Sequence, residues 1–356
     1  MNRSARITLY PQALKNNLEQ VRLVAPNSKV LAVIKANAYG HGMLEVAKIL
    51  HHADGYAVAC VPEGLELRSS GTQHPILVLQ GHQNLQDLKI ASEYQLRLVV
   101  HDLTQLRYFD LLGKHKVQIA LKIDTGMHRL GISPQDAFSL YYKLKNHPNI
   151  DPNIWLMTHL ACADDLNNSA TIQQLGVFTK AIKNINAPLS IPNSAGILGW
   201  QASHSDWVRP GIMLYGSSPF AFEKKGRENY KLQAAMTLSA PLISLYQLKK
   251  GDSIGYGASY HCPQDMRVGA VACGYADGYP RHAATGAPVS INGIETHTVG
   301  RISMDTLIIK LDNIPAKVGD RVELWGENIS VDRVAYHAET ISYELLCNAG
   351  NNCRRD

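Results

Sequence analysis

Val30-Leu31-Ala32-Val33-Ile34-Lys35-Ala36-Asn37-Ala38-Tyr39-Gly40-His41-Gly42 is the stretch from which the fold is read. Five apolar residues run without a charge and stop at Lys35; a turn-like segment follows, and a helical pattern starts near Leu44. Such a run predicts a strand buried on both faces, as in a parallel sheet. Lys35 then stands at the C-terminal end of that strand, where α/β proteins place their chemistry. Burial lowers the pKa of a lysine and leaves a nucleophilic amine suited to a Schiff base. The alternative is a lysine whose stem lies along the strand end while its ammonium reaches solvent.

Working outward, strand-like runs recur at 56–60, 76–79, 96–100, 117–123, 154–160, 189–191 and 208–215. Helical stretches such as 103–112, 137–144 and 172–182 separate most of them. That alternation indicates βαβ units, and eight strands counted from Val30 favour a (β/α)8 barrel. A doubly wound sheet is the alternative, but no Gly-x-Gly-x-x-Gly follows an early strand. Before the central strand, Ile7–Leu9 reads as a short strand and Pro11–Val24 as an amphipathic helix. The texture changes after about residue 225. From Met236 onward, β-rich runs at 242–248, 267–273, 289–291, 306–309 and 322–325 alternate with Gly and Pro, and helical patterns return only at 331–337 and 343–347. The expectation is a barrel over 1–230 and a mainly antiparallel β domain over 231–356.

Composition excludes several classes. The 356 residues are 45% hydrophobic and 18% charged, ordinary for a globular protein. The formal charge of +5 is mild, and its densest cluster, Lys224, Lys225 and Arg227, reads as a solvated loop rather than a nucleic-acid footprint. No signal-peptide pattern opens the chain, and no apolar run approaches membrane length. The six cysteines are dispersed with no CxxC pair, which predicts reduced thiols, no zinc or other metal site, and a cytoplasmic protein.

Other strand ends also finish in polar groups. Leu121–Ile123 leads to Arg129 through Asp-Thr-Gly-Met-His, Trp155–Thr158 leads to His159, and Val208 is followed by Arg209. In a barrel, Lys35, Arg129, His159 and Arg209 converge on one mouth. Each alone could be an ion-pairing arginine or a histidine bonded to a backbone carbonyl. Lys35 together with Gly-rich backbone at Asn193-Ser194-Ala195-Gly196 and Gly211-Ile212 suggests pyridoxal 5'-phosphate (PLP), which needs a Schiff-base lysine and a phosphate cradle.

Seven stretches carry a family likeness: 33–42, 122–131, 209–216, Gly-Tyr-Gly at 255–257, Gly-Tyr-Ala-Asp-Gly-Tyr-Pro-Arg at 274–281, Val-Gly-Arg-Ile-Ser-Met-Asp at 299–305 and Tyr-Glu-Leu-Leu at 343–346. In order and over nearly the whole chain, they resemble the bacterial alanine racemases, fold-type III PLP enzymes. The resemblance implies that Lys35 holds PLP and acts as one of two bases. Tyr256, from the partner subunit of a head-to-tail homodimer, would be the other. His159 and Arg209 would help that tyrosine ionise. Arg209 would also face the pyridine nitrogen and leave it unprotonated, since an arginine does not give up its proton. Arg129 maps to the contact with the substrate carboxylate, and Lys122 to a lysine that is carbamylated in several relatives. Tyr39, Ser194, Gly211, Ile212 and Tyr343 map to the phosphate site. Met304 of the partner subunit maps near the substrate, while Asp164, Tyr275, Arg281 and Asp305 map to the entrance.

The implied activity is interconversion of L- and D-alanine, for peptidoglycan or for alanine breakdown. The nearest enzymatic alternative is a racemase of broader substrate range, distinguished by the pocket size around Tyr343 and Met304. A fold-type III decarboxylase would need a Cys-x-Glu-Ser-type motif, and a single-barrel PLP carrier would lack residues 236–356. One departure stands out: relatives often continue Tyr-Glu-Leu-Leu towards an Arg-Val-Pro-like ending, whereas here Cys347-Asn-Ala-Gly-Asn-Asn-Cys-Arg-Arg-Asp follows.

Overall fold

A computed structural model describes residues 3–220, 230–283 and 285–355; the Lys224, Lys225 and Arg227 cluster lies outside them. The opening run forms the strand Lys29–Val33, buried from Val30 onward, in a closed barrel of eight parallel strands. The others follow in sequence order: Gly55–Val58, Ile76–Val78, Leu96–Val100, Gln118–Lys122, Trp155–Met157, Leu189–Ser190 and Trp207–Val208. Lys29 beside Trp207 and Val30 beside Val208 close the ring. The last strand is shorter than the sequence suggests. Pro210 offers no N–H to a ladder, so the strand stops at Val208 and Ile212–Tyr215 winds into a short 3-10 helix.

Local chemistry sets the outer helices. Pro11–Val24 opens with proline, where the missing N–H costs nothing, and buries Ala13, Leu14, Leu18 and Val21 along one stripe. Each buried leucine or valine there contributes about 1.5–3 kcal/mol. Leu85–Glu93 is capped by Asn84, which accepts from the Asp87 N–H at 2.9 Å. Leu103–Leu112 is helical as expected but of the tighter 3-10 kind, capped by Asp102.

The second body is a mainly antiparallel sheet whose spine is Met236–Leu248. A register shift between Leu238 and Ser239 marks its pairing with Arg321–Trp325, and another between Leu242 and Ser244 marks its pairing with Met266–Val271. Pro288–Ile291 and Leu307–Lys310 extend the two arms. Arg6–Leu9 lies ahead of the boundary expected at residue 230, yet pairs antiparallel with 236–239 of this sheet. In the tail, the helix Ser342–Asn352 continues past Tyr343, and Arg354–Arg355 adds a strand parallel to Arg6 and Ile7. No helix among the described residues is long and apolar enough to cross a membrane.

Candidate active site

Lys35 leaves the first barrel strand into an uncommon turn. Ala36, Asn37, Ala38 and Tyr39 have φ of 52°, 54°, 54° and 50°, the left-handed region that costs an L-residue roughly 1–2 kcal/mol. Specific bonds hold it. Glu63 accepts from the Ala36 N–H at 2.8 Å and the Ala59 N–H at 2.6 Å, and Asn37 Oδ1 accepts from the Met43 N–H at 2.8 Å. Gly40 ends the turn at φ 83°, where a Cβ would sit 2.2 Å from the Leu346 carbonyl oxygen. Only glycine fits.

The turn is one wall of a cavity of about 520 Å3 at the C-terminal ends of the strands. Lys35, Lys122, Arg129, His159 and Arg209 line it on the barrel side. Tyr39, Ser194, Gly211, Ile212 and Tyr343 line it elsewhere, so the strand ends named in the sequence do converge.

Four cations share this space, and burial, then their proximity, shifts the titration of the site. Burial, then the nearby Arg129, pulls Lys35 below the ordinary lysine range. Lys122 is pulled to about 8 by burial and then by Arg209 and Arg129. His159 is pushed well below its usual 6.5 by burial and then by Arg209, so it is neutral. Arg209 is 3% exposed; it donates to Ser190 Oγ at 2.7 Å and to the Thr158 and Ile191 carbonyls at 2.7 and 2.9 Å. Its Nε–H and one Nη1–H have no acceptor among the described residues, which leaves donors for a group in the cavity.

The far end suits an anion. Ser194 Oγ accepts from the Gly211 N–H at 2.9 Å and the Met213 N–H at 3.4 Å, so the hydroxyl's own proton is free to donate. The Tyr39 hydroxyl lies so near Gly211 that a Cβ there would sit 2.6 Å from it. The rings of Tyr39 and Tyr343 are 5.9 Å apart between centroids. An amine of lowered pKa at one side and neutral donors at the other fit PLP: an aldehyde partner, a cationic wall and a phosphate end.

The alanine racemase N-terminal domain model matches residues 10–219, and the alanine racemase C-terminal domain model matches residues 235–356. The chain belongs to the alanine racemase family. A catabolic alanine racemase of Pseudomonas putida is 46% identical over 349 residues, 97% of each chain. The biosynthetic alanine racemase of Pseudomonas aeruginosa superposes with a TM-score of 0.94 at 41% identity, covering 100% of this chain and 99% of that one. An alanine racemase of Bartonella henselae, solved with covalently bound pyridoxal phosphate, gives a TM-score of 0.89 at 26% identity, covering 100% and 99%. The protein is thus an isomerase of the racemase class, with alanine as its family substrate.

Not every residue singled out in the sequence lines the cavity. Tyr256 and Met304 stand on the β domain, 68% and 53% exposed, and are absent from their own subunit's cavity lining. Tyr275, Arg281, Asp164 and Asp305 are also exposed and outside it. Arg281 lies over the Tyr275 ring, and Asp305 accepts from Arg3 at 2.8 Å. Two contributors escaped sequence reading. Cys347 lines the cavity one helical turn beyond Tyr343, and that i, i+4 spacing was the available signal. Glu63, which holds the turn, has no local signature; only the barrel brings it to residue 36.

Proposed function

We propose that the chain interconverts L- and D-alanine with PLP on Lys35, through two bases contributed by two subunits of a homodimer. The observation that carries this reading is an amine of lowered pKa in a cavity walled by Arg129 and Arg209 and ended by Ser194 and Tyr39. Bound there, PLP would supply the electron sink that acidifies alanine Cα.

Racemisation needs the Cα proton removed from one face and returned to the other, so one base is insufficient. Lys35 Nζ serves one face. Tyr256 of the partner subunit serves the other, which accounts for a tyrosine of the Gly-Tyr-Gly motif left 68% exposed in its own subunit. A tyrosine ordinarily titrates near pH 10, so its hydroxyl must be relieved of its proton. Neutral His159, its Nδ1 at 3.3 Å from Arg209 Nη2, presents an Nε2–H that would donate to the tyrosine oxygen and favour its ionised form. Arg129 holds the substrate carboxylate, with Met304 of the partner subunit bounding the small side-chain space. Carbamylation of Lys122 would put an anion beside Arg129 and relieve the crowding of cations. Tyr275, Arg281, Asp164 and Asp305 would shape the entrance. The reaction is symmetric, so one site serves D-alanine supply for peptidoglycan and alanine breakdown alike. The free thiols support a cytoplasmic setting.

The test is proton NMR of L-alanine in D2O with the purified holoenzyme, followed by chiral analysis. Loss of the α-proton signal with D-alanine appearing is expected, and Lys35→Ala should abolish both. Tyr256→Phe should keep exchange of one enantiomer and lose inversion. Mixed dimers of Lys35→Ala and Tyr256→Phe should regain activity, because one of the two shared sites is intact. No exchange by the wild-type holoenzyme would overturn the reading, and no recovery in mixed dimers would overturn the shared site.

A further inference from the structure

The last described residue closes onto the lysine turn. Arg355 donates from Nε and Nη2 to the Gly40 carbonyl at 3.1 and 2.9 Å, and from Nη2 to the Gly350 carbonyl at 2.8 Å. Gly40 ends the turn that carries Lys35 and Tyr39; Gly350 belongs to the helix that carries Tyr343 and Cys347. The guanidinium thus ties together two walls of the cavity. The backbones beneath it touch: a Cβ on Gly350 would lie 2.1 Å from the Gly40 Cα. Arg355 is itself fixed, because it lies in the strand that pairs with Arg6 and Ile7.

We infer that Arg355 is a positioning residue: it holds the Lys35–Tyr39 turn against the Tyr343 helix and so sets the phosphate end of the PLP cavity. The inference rests on the reading that Lys35, Tyr39 and Tyr343 face PLP. Two arguments favour positioning over a merely structural tail. A left-handed turn of four consecutive non-glycine residues is costly and relaxes unless its end is held. Both carbonyls are also acceptors for one rigid, charged fork, whose hydrogen bonds are stronger than neutral ones and directional.

The experiment compares PLP binding to the resolved apoprotein, followed by the visible absorbance of the bound cofactor, in wild type, Arg355→Ala, Arg355→Lys and Arg354→Ala. Apoprotein Tm is measured alongside. Arg354 is the exposed neighbour on the same strand, so its variant controls for strand pairing alone. Arg355→Ala should weaken PLP binding about tenfold, Arg355→Lys should recover part of that loss, and Arg354→Ala should match wild type. A lowered Tm with unchanged PLP affinity would make Arg355 a tail anchor only and overturn the inference. Should Arg355→Ala fail to fold, Arg355→Lys carries the test, and wild-type affinity in that variant would overturn it. Borohydride reduction of the wild-type holoenzyme followed by peptide mapping separates the two readings: a pyridoxyl group found away from Lys35 would sink the cofactor assignment rather than the role of Arg355.

Discussion

Arg209 Nη2 lies 3.3 Å from His159 Nδ1. A guanidinium only donates, so Nδ1 must be the acceptor and the imidazole proton sits on Nε2. The contact fixes both the tautomer and the neutrality of His159. Burial and the Arg209 charge act in the same direction.

Acid lability follows. His159 stays neutral well below pH 6.5, and buried His41 titrates only at about 3, pushed down by burial. In the unfolded chain both bind a proton as pH falls through about 6.5, so the unfolded state then holds more protons than the native one. The stability these groups contribute is therefore present above pH 6.5 and lost as pH falls, at roughly 1.4 kcal/mol per pH unit for each neutral histidine. Apoprotein Tm should drop between pH 7 and 5, and His41→Gln should flatten that drop. An unchanged slope in the variant would refute the assignment.

Arg209 makes bonds no lysine can copy. Its fork reaches Ser190, Thr158 and Ile191 from a position 3% exposed. Arg209→Lys should cost about 2 kcal/mol or more in denaturant unfolding, since it strands buried acceptors. It should also shift the basic limb of the pH–rate profile, by removing the donor that sets His159. A variant stable and unaltered in pH profile would count against both roles.

Lys122 is a buried cation without an acceptor among the described residues, and its pKa is drawn from 10.5 to about 8. Below pH 8 the native state carries the full penalty, on the order of 3 kcal/mol, and it fades as pH rises towards 10.5. Lys122→Met should therefore raise apoprotein Tm at pH 7 and lose that advantage at alkaline pH. Bicarbonate should stabilise wild type but not the variant, with a CO2 adduct on Lys122 seen by mass spectrometry of the intact protein. No adduct and no stabilisation would dismiss the carbamate.

Two glycines give opposite expectations. Gly350→Ala drives a methyl onto the Gly40 backbone and should cost about 3 kcal/mol, read as a lower denaturation midpoint. Gly176, inside the helix Ala170–Ala181, has nothing within 4 Å of an added Cβ. Gly176→Ala should gain about 0.5–1 kcal/mol.

The barrel was legible because its strands are buried on both faces and announce themselves as uninterrupted apolar runs; Val30–Ile34 and Leu96–Val100 needed no partner to be recognised. Strand ends made Lys35, Arg129, His159 and Arg209 legible in turn. What local pattern cannot carry is contact across the chain. Nothing near Glu63 says that it will hold residue 36, and nothing near Ile7 says that its strand joins a sheet begun at residue 236. The over-long eighth strand was misread because apolar residues 212–215 continue the pattern after Pro210 has ended the ladder. The tail's contacts were equally out of reach, since no local pattern announces that Gly350 packs on Gly40 or that Arg355 donates to its carbonyl.

The pairing of Arg6–Leu9 with 236–239 and with Arg354–Arg355 has a consequence for synthesis. Arg6–Leu9 leaves the ribosome before the barrel strands do, and both of its neighbours leave after them. Until residues 236–239 follow, its backbone groups have no ladder to join, and the edge must be hydrated or shielded. The barrel can assemble beforehand, but the sheet waits for its spine at 236–248 and gains Arg354–Arg355 only later. A stop before Arg354 therefore leaves one edge of Arg6–Leu9 open, a liability to aggregate, and a lysine turn without the Arg355 bonds.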